Sequence, residues 1–393
     1  MADIGRARFG TCLVFFICGI GHGTWAPRLA EIKEKIGASD GELGLALLML
    51  GIGALIAMPI AGALVGRFGS KAVSLLAALA HGLVFPLMVL AWSWVTLGIA
   101  MLAYGVAIGS LDVAMNVQAT EIERQKGAPI MSSFHGVYSV GDMAGALATG
   151  LAASILLGLG AHFLIAALAM LLAGVGGCWI MIPDERTEAA SAPAFVRPSG
   201  ILVLIGLIAF IAVLAEGSVG DWSAIYLHDH QGADTKTAAI ALTVFALAMA
   251  VMRFAGDALV HRFGPFAILQ TSGLLAATGL AIALLASSPP IAIVGYGLAG
   301  LGIAVLFPIT LSIAPRFSGL SPSTAVAAVA TLGYGGFLIG PPIIGLLADQ
   351  AGLPLALGLV VALLAAAPPI AWLMGRHVAN GHGLAAKVRA NVL

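Results

Sequence analysis

The sequence predicts an all-α polytopic membrane protein with twelve transmembrane helices in two parallel repeats of six. Three observations lead to this prediction. First, 60% of the 393 residues are hydrophobic and only 9% are charged, whereas an ordinary soluble domain has about 25% charged residues. Second, apolar segments long enough to cross a bilayer follow one another along the whole chain. Third, a short motif recurs at corresponding places in the two halves.

A transmembrane helix needs about 20 mainly apolar residues. The first apolar run follows Arg6 and Arg8, as in a signal peptide, but no small-x-small cleavage site comes after it. We therefore predict that this run is retained as the first span. The predicted spans are residues 9–29, 42–65, 72–92, 95–119, 130–154, 157–182, 199–228, 236–260, 266–287, 290–314, 323–347 and 353–376.

Lys and Arg residues are distributed unevenly between the two sides of these spans. With both termini placed inside, thirteen lie on the inner side and only Arg28, Lys33, Lys35 and Lys236 on the outer side. This bias predicts cytoplasmic termini in a cell inner or plasma membrane. The predicted parts of the chain are an N-terminal six-helix bundle at 1–183, a cytoplasmic linker at 184–198, a C-terminal six-helix bundle at 199–376 and a cytoplasmic tail at 377–393.

The two halves of the chain repeat a run of seven residues. Residues 63–69 read Ala-Leu-Val-Gly-Arg-Phe-Gly and residues 258–264 read Ala-Leu-Val-His-Arg-Phe-Gly, so six of the seven are identical. Each run follows the second span of its half, and the twins lie six spans apart. An even number of spans between twins gives two repeats of the same orientation, related by an axis along the membrane normal.

These residues resemble the major facilitator superfamily. Residues 62–71 are similar to the signature of that superfamily in the loop between helices 2 and 3, with Gly66 where an acid is usual. The resemblance covers the whole chain. It implies a secondary transporter that works by alternating access, with a central cavity lined by helices 1, 4, 7 and 10.

Within the superfamily, the chain is most similar to the fucose permease branch. Asp112 and Asn116 fall in helix 4, where that permease has an acid followed four residues later by Asn. His135 falls where the permease has an Asn in helix 5. The chain departs from the permease at Gly23, which stands in place of a second acid in helix 1. The resemblance implies a sugar or a sugar-like substrate.

Ionisable side chains inside apolar spans are the main candidates for function, because such side chains are costly in lipid and usually face a cavity. Asp112 and Asn116 are four residues apart and share one face of the fourth span. A carboxylate there can exchange a proton or accept hydrogen bonds from sugar hydroxyls. The alternative is an acid that only stabilises the bundle by pairing with a neighbour.

The fifth span has a polar stripe on an otherwise apolar helix. Ser132, His135, Ser139 and Asp142 follow one another at intervals of three, four and three residues, which places them on one face. We predict that His135 assists proton transfer, since histidine titrates near neutral pH. Ser139 and Asp142 are predicted to bind substrate.

The seventh span has acids and aromatic residues around two glycines, which predicts a kinked or unwound helix. We predict a proton-coupling role for Glu216 and an outer gate or solvated position for Asp221. Trp222 and Tyr226 either stack on a sugar ring or belong to the aromatic belt at the outer interface.

The first and eighth spans complete the set of candidates. His22 and Trp25, before a proline in the first span, are predicted to bind substrate. Near the inner end of the eighth span, a charged cluster either forms a cytoplasmic gate or only neutralises its own charges. The predicted gating residues are Arg67, Arg253, Asp257 and Arg262.

The sequence therefore predicts proton-coupled symport of a small polar solute by a protein that works as a monomer. Its partners are a small-molecule substrate, a proton and membrane lipid, with no nucleic acid. No nucleotide-binding Gly-Lys-Ser/Thr loop, His-Glu-x-x-His motif or paired-cysteine motif occurs, so neither a cofactor nor a metal is predicted. Three alternatives stay open: proton-driven efflux of a metabolite or drug, a non-transporting solute sensor, and a membrane-embedded enzyme, which the missing catalytic constellations disfavour.

Overall fold

The computed structural model describes residues 4–127, 130–183, 200–318 and 322–390. The predicted linker at 184–198 lies outside these residues, as do the side chains of Ser132 and Asp257. Two short 3-10 segments, Ala26–Arg28 and Phe85–Leu90, join helices of the first half. The α-helices are α1 Ile4–Trp25, α2 Leu29–Ile36, α3 Asp40–Phe68, α4 Ser70–Val84, α5 Trp94–Lys126, α6 Met131–Ser154, α7 Leu159–Trp179, α8 Ile201–Gln231, α9 Thr235–Phe263, α10 Pro265–Leu285, α11 Pro289–Ile303, α12 Leu306–Ser318, α13 Pro322–Ala351 and α14 Leu353–Ala390.

The prediction of twelve spans in two repeats is confirmed. Among the described residues, eleven helical segments are long and apolar enough to cross a membrane. The remaining span is α6, which has 24 residues but carries the polar stripe. The tenth span consists of α11 and α12, separated at Ala304 and Val305. The helix α14 runs on to Ala390, into the segment predicted as a tail.

The repeated motif has the same backbone in both halves. It ends in Gly69 with φ 85° and ψ 154°, and in Gly264 with φ 81° and ψ 155°. Side-chain-bearing residues rarely adopt this conformation, so each glycine permits the sharp junction between two spans. Arg67 and Arg262 are exposed, and each guanidinium lies over the following phenylalanine ring, at 5.1 Å and 5.2 Å. Among the described side chains, each guanidinium therefore contacts a residue of its own half.

Glycines bring α1 and α6 close enough for their polar residues to meet. A Cβ atom on Gly19 would collide with the carbonyl oxygen of Tyr138, and one on Gly23 with that of Asp142. On the facing helix, a Cβ atom on Gly141 would collide with the carbonyl oxygen of Phe16. Small residues allow such close helix contact in membranes. This packing fixes the register between the first and fifth spans.

The helices α3 and α13, which belong to different halves, meet on one face of the molecule and separate towards the other. A Cβ atom on Gly44 would lie 2.5 Å from the carbonyl oxygen of Pro341 in α13, and one on Gly51 would lie 2.9 Å from Leu338. Gly62 follows Gly44 by five helical turns and so shares its side of α3, yet nothing lies within 4 Å of a Cβ built there. We call the α2 side the sealed face and the side carrying residue 4 the open face.

The second span of each half begins on the sealed face, and a side chain caps the N-terminus of its helix. Ser39 accepts a hydrogen bond from the backbone of Glu42 at the start of α3. Asp234 accepts hydrogen bonds from the hydroxyl and the backbone N–H of Thr237 at the start of α9. The hydroxyl of Thr237 is the main reason why the pKa of the Asp234 carboxyl lies below its ordinary value. Such caps satisfy N–H groups that a helix leaves unpaired.

Candidate functional site

Polar side chains from five helices gather at the centre of the bundle. They come from α1, α5 and α6 of the first half and from α8 and α9 of the second. The hydrogen bonds and ion pairs divide them into three groups. These are the His22 cluster of His22, Asp142 and Asp221, the Arg253 cluster of Ser139, Glu216 and Arg253, and the pair of Asp112 and Asn116.

The His22 cluster joins the two halves. Nδ1 of His22 lies 2.9 Å from Oδ1 of Asp142, and Nε2 lies 4.0 Å from Oδ1 of Asp221. Asp142 belongs to the first half and Asp221 to the second, and both are buried, with 8% and 4% exposure. The ring of Trp25 packs edge-on against the imidazole at 5.3 Å. The imidazole therefore lies between two carboxylates that come from different halves of the chain.

The burial of Asp221 decides between the two positions predicted for it. A solvated position is wrong, because Asp221 is only 4% exposed. An outer gate stays a prediction, since Asp221 lies beside His22 of the other half. Gly220 lets the imidazole pack directly on α8, since a Cβ there would lie 3.0 Å from Cε1 of His22.

The Arg253 cluster also crosses between the halves. Nη1 of Arg253 donates to the hydroxyl of Ser139 at 2.7 Å, and Nη2 donates to both oxygens of Glu216, at 2.9 Å and 3.1 Å. The side chain of Arg253 is 20% exposed and that of Glu216 is 36% exposed. The guanidinium thus neutralises the carboxylate and reaches α6 of the opposite half.

Arg253 therefore lies with the central polar residues, where its hydrogen bond to Ser139 connects the two halves. The sequence analysis paired it with Asp257, four residues along the same helix. The side chain of Asp257 lies outside the described residues. The observed partners of Arg253 come from α6 and α8, so only the tertiary packing reveals them.

Asp112 and Asn116 form the third group, as their spacing predicts. The side-chain amide of Asn116 donates to the backbone oxygen of Asp112 at 2.8 Å and to its carboxylate at 3.1 Å. Both side chains are half-buried. In the part of the chain that the structure describes, Asp112 has no ion-pair partner within 4.0 Å. Asp112 thus keeps a carboxylate without a neutralising cation.

His135 is exposed, one helical turn from Ser139 on the polar stripe of α6. Its ring packs edge-on against Phe15 of α1 at 5.3 Å. Its neighbour Gly136 lies against the ring of Phe254 in α9. These contacts place His135 at the junction of the two halves, beside the Arg253 cluster.

Three aromatic residues predicted to contact substrate are buried in helix packing. Trp25 is 3% exposed, Trp222 is 0% exposed and Tyr226 is 4% exposed. The hydroxyl of Tyr226 donates to the carbonyl oxygen of Leu284 in α10 at 2.6 Å. A role in stacking on a sugar ring is therefore not available to Trp222 or Tyr226 in this conformation.

The seventh span also lacks the predicted kink. The helix α8 is unbroken from Ile201 to Gln231. Gly217 and Gly220 serve contacts with neighbouring side chains instead, since Phe337 lies 3.5 Å from a Cβ on Gly217. The break in this half occurs in the tenth span, between α11 and α12.

Charged contacts on the sealed face were not predicted from the sequence. Nζ of Lys33 lies 2.6 Å from Oδ1 of Asp40 in its own half and 2.9 Å from Oδ2 of Asp229 in the other half. The hydroxyl of Ser39 bonds Oδ2 of Asp349 at 2.8 Å, again between halves. Opposite charges at the ends of several spans were the only sequence signal for this network.

The arrangement can respond chemically to movement between the halves. The His22 and Arg253 clusters both contain groups from each half, so separation of the halves would change the partners of buried charges. Among the described residues, no group of three or more His, Cys, Asp or Glu side chains is placed to bind a metal ion. The central groups are suited to bind polar solutes and protons.

Comparisons with known proteins agree with this architecture. The sequence model of the Major Facilitator Superfamily matches residues 11–334 and also 205–389. An uncharacterised MFS-type transporter of Yersinia pestis is 39% identical over 360 residues, which cover 90% of this chain and 92% of the relative. An uncharacterised transporter of Sinorhizobium fredii is 35% identical over 92% of this chain and 97% of its own length. The membrane protein MosC of Rhizobium meliloti is 31% identical, over 88% of this chain and 85% of its own.

Solved structures share the fold at low sequence identity. A point mutant of the nucleoside transporter NupG superposes with a TM-score of 0.78 at 14% identity, over 94% of this chain and 99% of its own. A bacterial homologue of the human lysosomal transporter Spinster, in an inward-facing and unoccupied conformation, gives a TM-score of 0.72 at 14% identity. That superposition covers 95% of this chain and 97% of the homologue. At such identities the likeness concerns the fold alone.

Proposed function

The chain belongs to the major facilitator superfamily, and we propose that it transports a small polar solute by alternating access, coupled to protons as a symporter. The observation that carries this proposal is the central polar region at the interface of the two halves. This region is closed off on the sealed face by Lys33 and Ser39. On the open face, α3 of the first half diverges from α13 of the second. Such a site between two rocking bundles is typical of transporters built from repeats.

The accessible side chains among the central polar residues favour a small solute that forms hydrogen bonds. Asp112 and Asn116 are half-buried and His135 is exposed, and together they provide both donors and acceptors. The aromatic residues that could form an apolar drug site, Trp222 and Tyr226, are buried. A sugar or a sugar-like polyol fits this chemistry and agrees with the resemblance to the fucose permease branch.

Asp112 is the preferred proton carrier. Its carboxylate has an amide partner in Asn116, whereas the carboxylate of Glu216 is held by Arg253. A carboxylate without a cation can gain and lose a proton without breaking an ion pair. Glu216 of the Arg253 cluster and His135, which lies beside that cluster, assist the transfer of the proton.

The Lys and Arg bias supports a cytoplasmic orientation of the open face. The conformation described here is then inward-facing, and transport requires the bundle 1–183 to rock against 199–376. In the opposite conformation, the contacts of Lys33 and Ser39 across the sealed face are broken. The same central residues then become reachable from outside.

Flux into proteoliposomes tests the proposal. The purified protein is reconstituted, an inwardly directed proton gradient is imposed, and uptake of radiolabelled sugars and polyols is measured. We expect at least one solute to accumulate and a protonophore to abolish its accumulation. Accumulation driven only by the reversed gradient would replace symport with proton-driven efflux. Binding without flux would identify a sensor.

A further inference from the structure

We propose that His22, Asp142 and Asp221 form a second proton-binding site. This site holds the two halves together in the conformation described above, in which the sealed face is closed and which we call the sealed conformation. The inference rests on the proposed function in one respect, since it takes the two halves to move against each other. It differs from the role of Asp112 in its residues, its helices and its effect. The ligand of the site is a proton shared by groups of both halves.

The geometry of the imidazole carries this inference. Nδ1 is within hydrogen-bond distance of Asp142, and Nε2 points to Asp221 at 4.0 Å. A neutral imidazole has one N–H and one acceptor nitrogen. If Nδ1 donates to Asp142, a neutral ring presents a lone pair to the carboxylate of Asp221. A protonated ring instead directs an N–H towards each carboxylate.

The charges of the His22 cluster also support a bound proton. The deprotonated cluster contains two buried carboxylates and no cation of its own. One added proton makes the imidazole a cation between them, so that it attracts a carboxylate from each half. Coulomb interactions are stronger here than in water, because both carboxylates are buried and the side chain of His22 is only 24% exposed. Without this proton, Asp142 and Asp221 repel each other as the halves close.

Other charged groups near the cluster do not replace this proton. Arg253 is occupied by Glu216 and Ser139. Arg253 and Glu216 neutralise each other, so this pair supplies no net positive charge to the His22 cluster. The titratable or charged groups on the elements packed around this part of α1 are His81 on α4, Tyr104 and Asp112 on α5, Tyr138, His135 and Asp142 on α6, His162 on α7, Glu216 and Asp221 on α8, and Arg253 on α9.

The backbone is also shaped for this contact. Gly220 lies beside Asp221, and a Cβ there would come to 3.0 Å from Cε1 and 3.1 Å from Nε2 of His22. Gly23, next to His22, lets α1 approach the carbonyl oxygen of Asp142 itself. Glycines on both sides therefore hold the ring between the carboxylates. A movement of α8 away from α1 would remove Asp221 from the cluster.

The proposal predicts that acid favours the sealed conformation. If the sealed conformation binds one proton more than the opposite conformation, the ratio of the two changes by up to about tenfold per pH unit. This pH dependence of the conformational ratio does not require substrate, so it can be measured before a substrate is identified.

Distances between two spin labels on the sealed face measure the ratio of the sealed conformation to the opposite conformation. The labels are placed at Trp92 and Ser287, which are exposed and lie at corresponding turns of the two halves. The background is a variant in which Cys12, Cys18 and Cys178 are replaced by alanine. In this protein we expect the short-distance population to grow as the pH falls from 8 to 5, and its absence would overturn the proposal.

Three variants identify the group responsible. His22→Gln keeps a hydrogen-bonding side chain but cannot gain a proton, so the pH dependence of the distances should be lost. Asp221→Asn removes the repulsion and should keep the short distance at all pH values. His81→Gln is the matched control: His81 is buried against Tyr104 within the first half, and its variant should retain the wild-type pH dependence.

The outcomes separate this inference from the proposed function. Unchanged pH dependence in both His22→Gln and Asp221→Asn would overturn the second proton site, whatever the flux measurements show. Loss of the dependence in these variants but not in His81→Gln supports it. The proposed symport is judged independently, by proton-driven flux in the wild-type protein.

Discussion

Lys33 of α2 forms an ion pair with Asp229 at the end of α8, with 2.9 Å between Nζ and Oδ2. The same ammonium lies 2.6 Å from Asp40, so one cation links two acids that come from different halves. The hydrogen bond between Ser39 and Asp349 lies on the same face. These contacts are made only while the two halves are closed on this side, so they stabilise one conformation selectively.

Replacing Lys33 should weaken the sealed face. Lys33→Gln leaves Asp40 and Asp229 facing each other without a cation, and we expect a cost of about 1 kcal/mol. This corresponds to a roughly fivefold change in the ratio of conformations, seen as longer distances between labels at Trp92 and Ser287. Lys35→Gln is the control, because Lys35 bonds the carbonyl oxygen of Val89 within its own half. Equal effects of both variants would contradict this role for Lys33.

Adding a methyl group at Gly220 should disturb the His22 cluster. Gly220→Ala places a Cβ 3.0 Å from the imidazole, so the ring must move from its position between the carboxylates. We expect longer label distances and a weaker response to pH. Gly217→Ala is the matched control on the same helix, since the nearest atom there lies 3.5 Å away. The expectation fails if the two alanine variants behave alike.

Neutralising Asp112 should uncouple transport from protons. Asp112→Asn mimics the protonated carboxyl permanently. Proton-driven accumulation should then vanish, whereas exchange of labelled for unlabelled substrate should persist. Both fluxes are measured in the same proteoliposomes. Accumulation at the wild-type level would remove Asp112 from the coupling mechanism.

Removing Arg253 should cost stability that a second substitution restores. Arg253→Gln leaves Glu216 without its cation, and we expect a loss of about 1.5–3 kcal/mol for a hydrogen bond to a charged group. In Arg253→Gln/Glu216→Gln no charge remains unpaired, so the melting temperature should recover most of the loss. A double variant that is no more stable than the single one would show that the ion pair does not account for the loss.

Labelling of the linker tests the orientation of the chain. Ala190 lies in the segment predicted to be cytoplasmic. A cysteine introduced at Ala190, on the background without native cysteines, should react with an impermeant maleimide only after the membrane is opened. Reaction in intact cells would reverse the orientation and make the described conformation outward-facing.

The sequence by itself determined the number and order of the spans and the duplication of the halves. Each span must satisfy its own backbone hydrogen bonds and expose apolar side chains to lipid, so length and composition suffice to find it. The repeated motif fixed the junction after the second span, because the glycine in each copy adopts a conformation that other residues rarely reach. The pairing of Asp112 with Asn116 also followed from spacing within one helix.

Only the tertiary structure decided which polar residues meet. Arg253 bonds Glu216 and Ser139 across 37 and 114 residues of sequence, and the intervals between them contain no sign of contact. Asp221 belongs to the His22 cluster because α8 packs against the ring of His22 at Gly220 and so brings Asp221 to the depth of that ring. Such contacts depend on the rotation and depth of whole helices, which are set by close packing at glycines between helices. Hydropathy describes each helix alone and therefore does not contain this information.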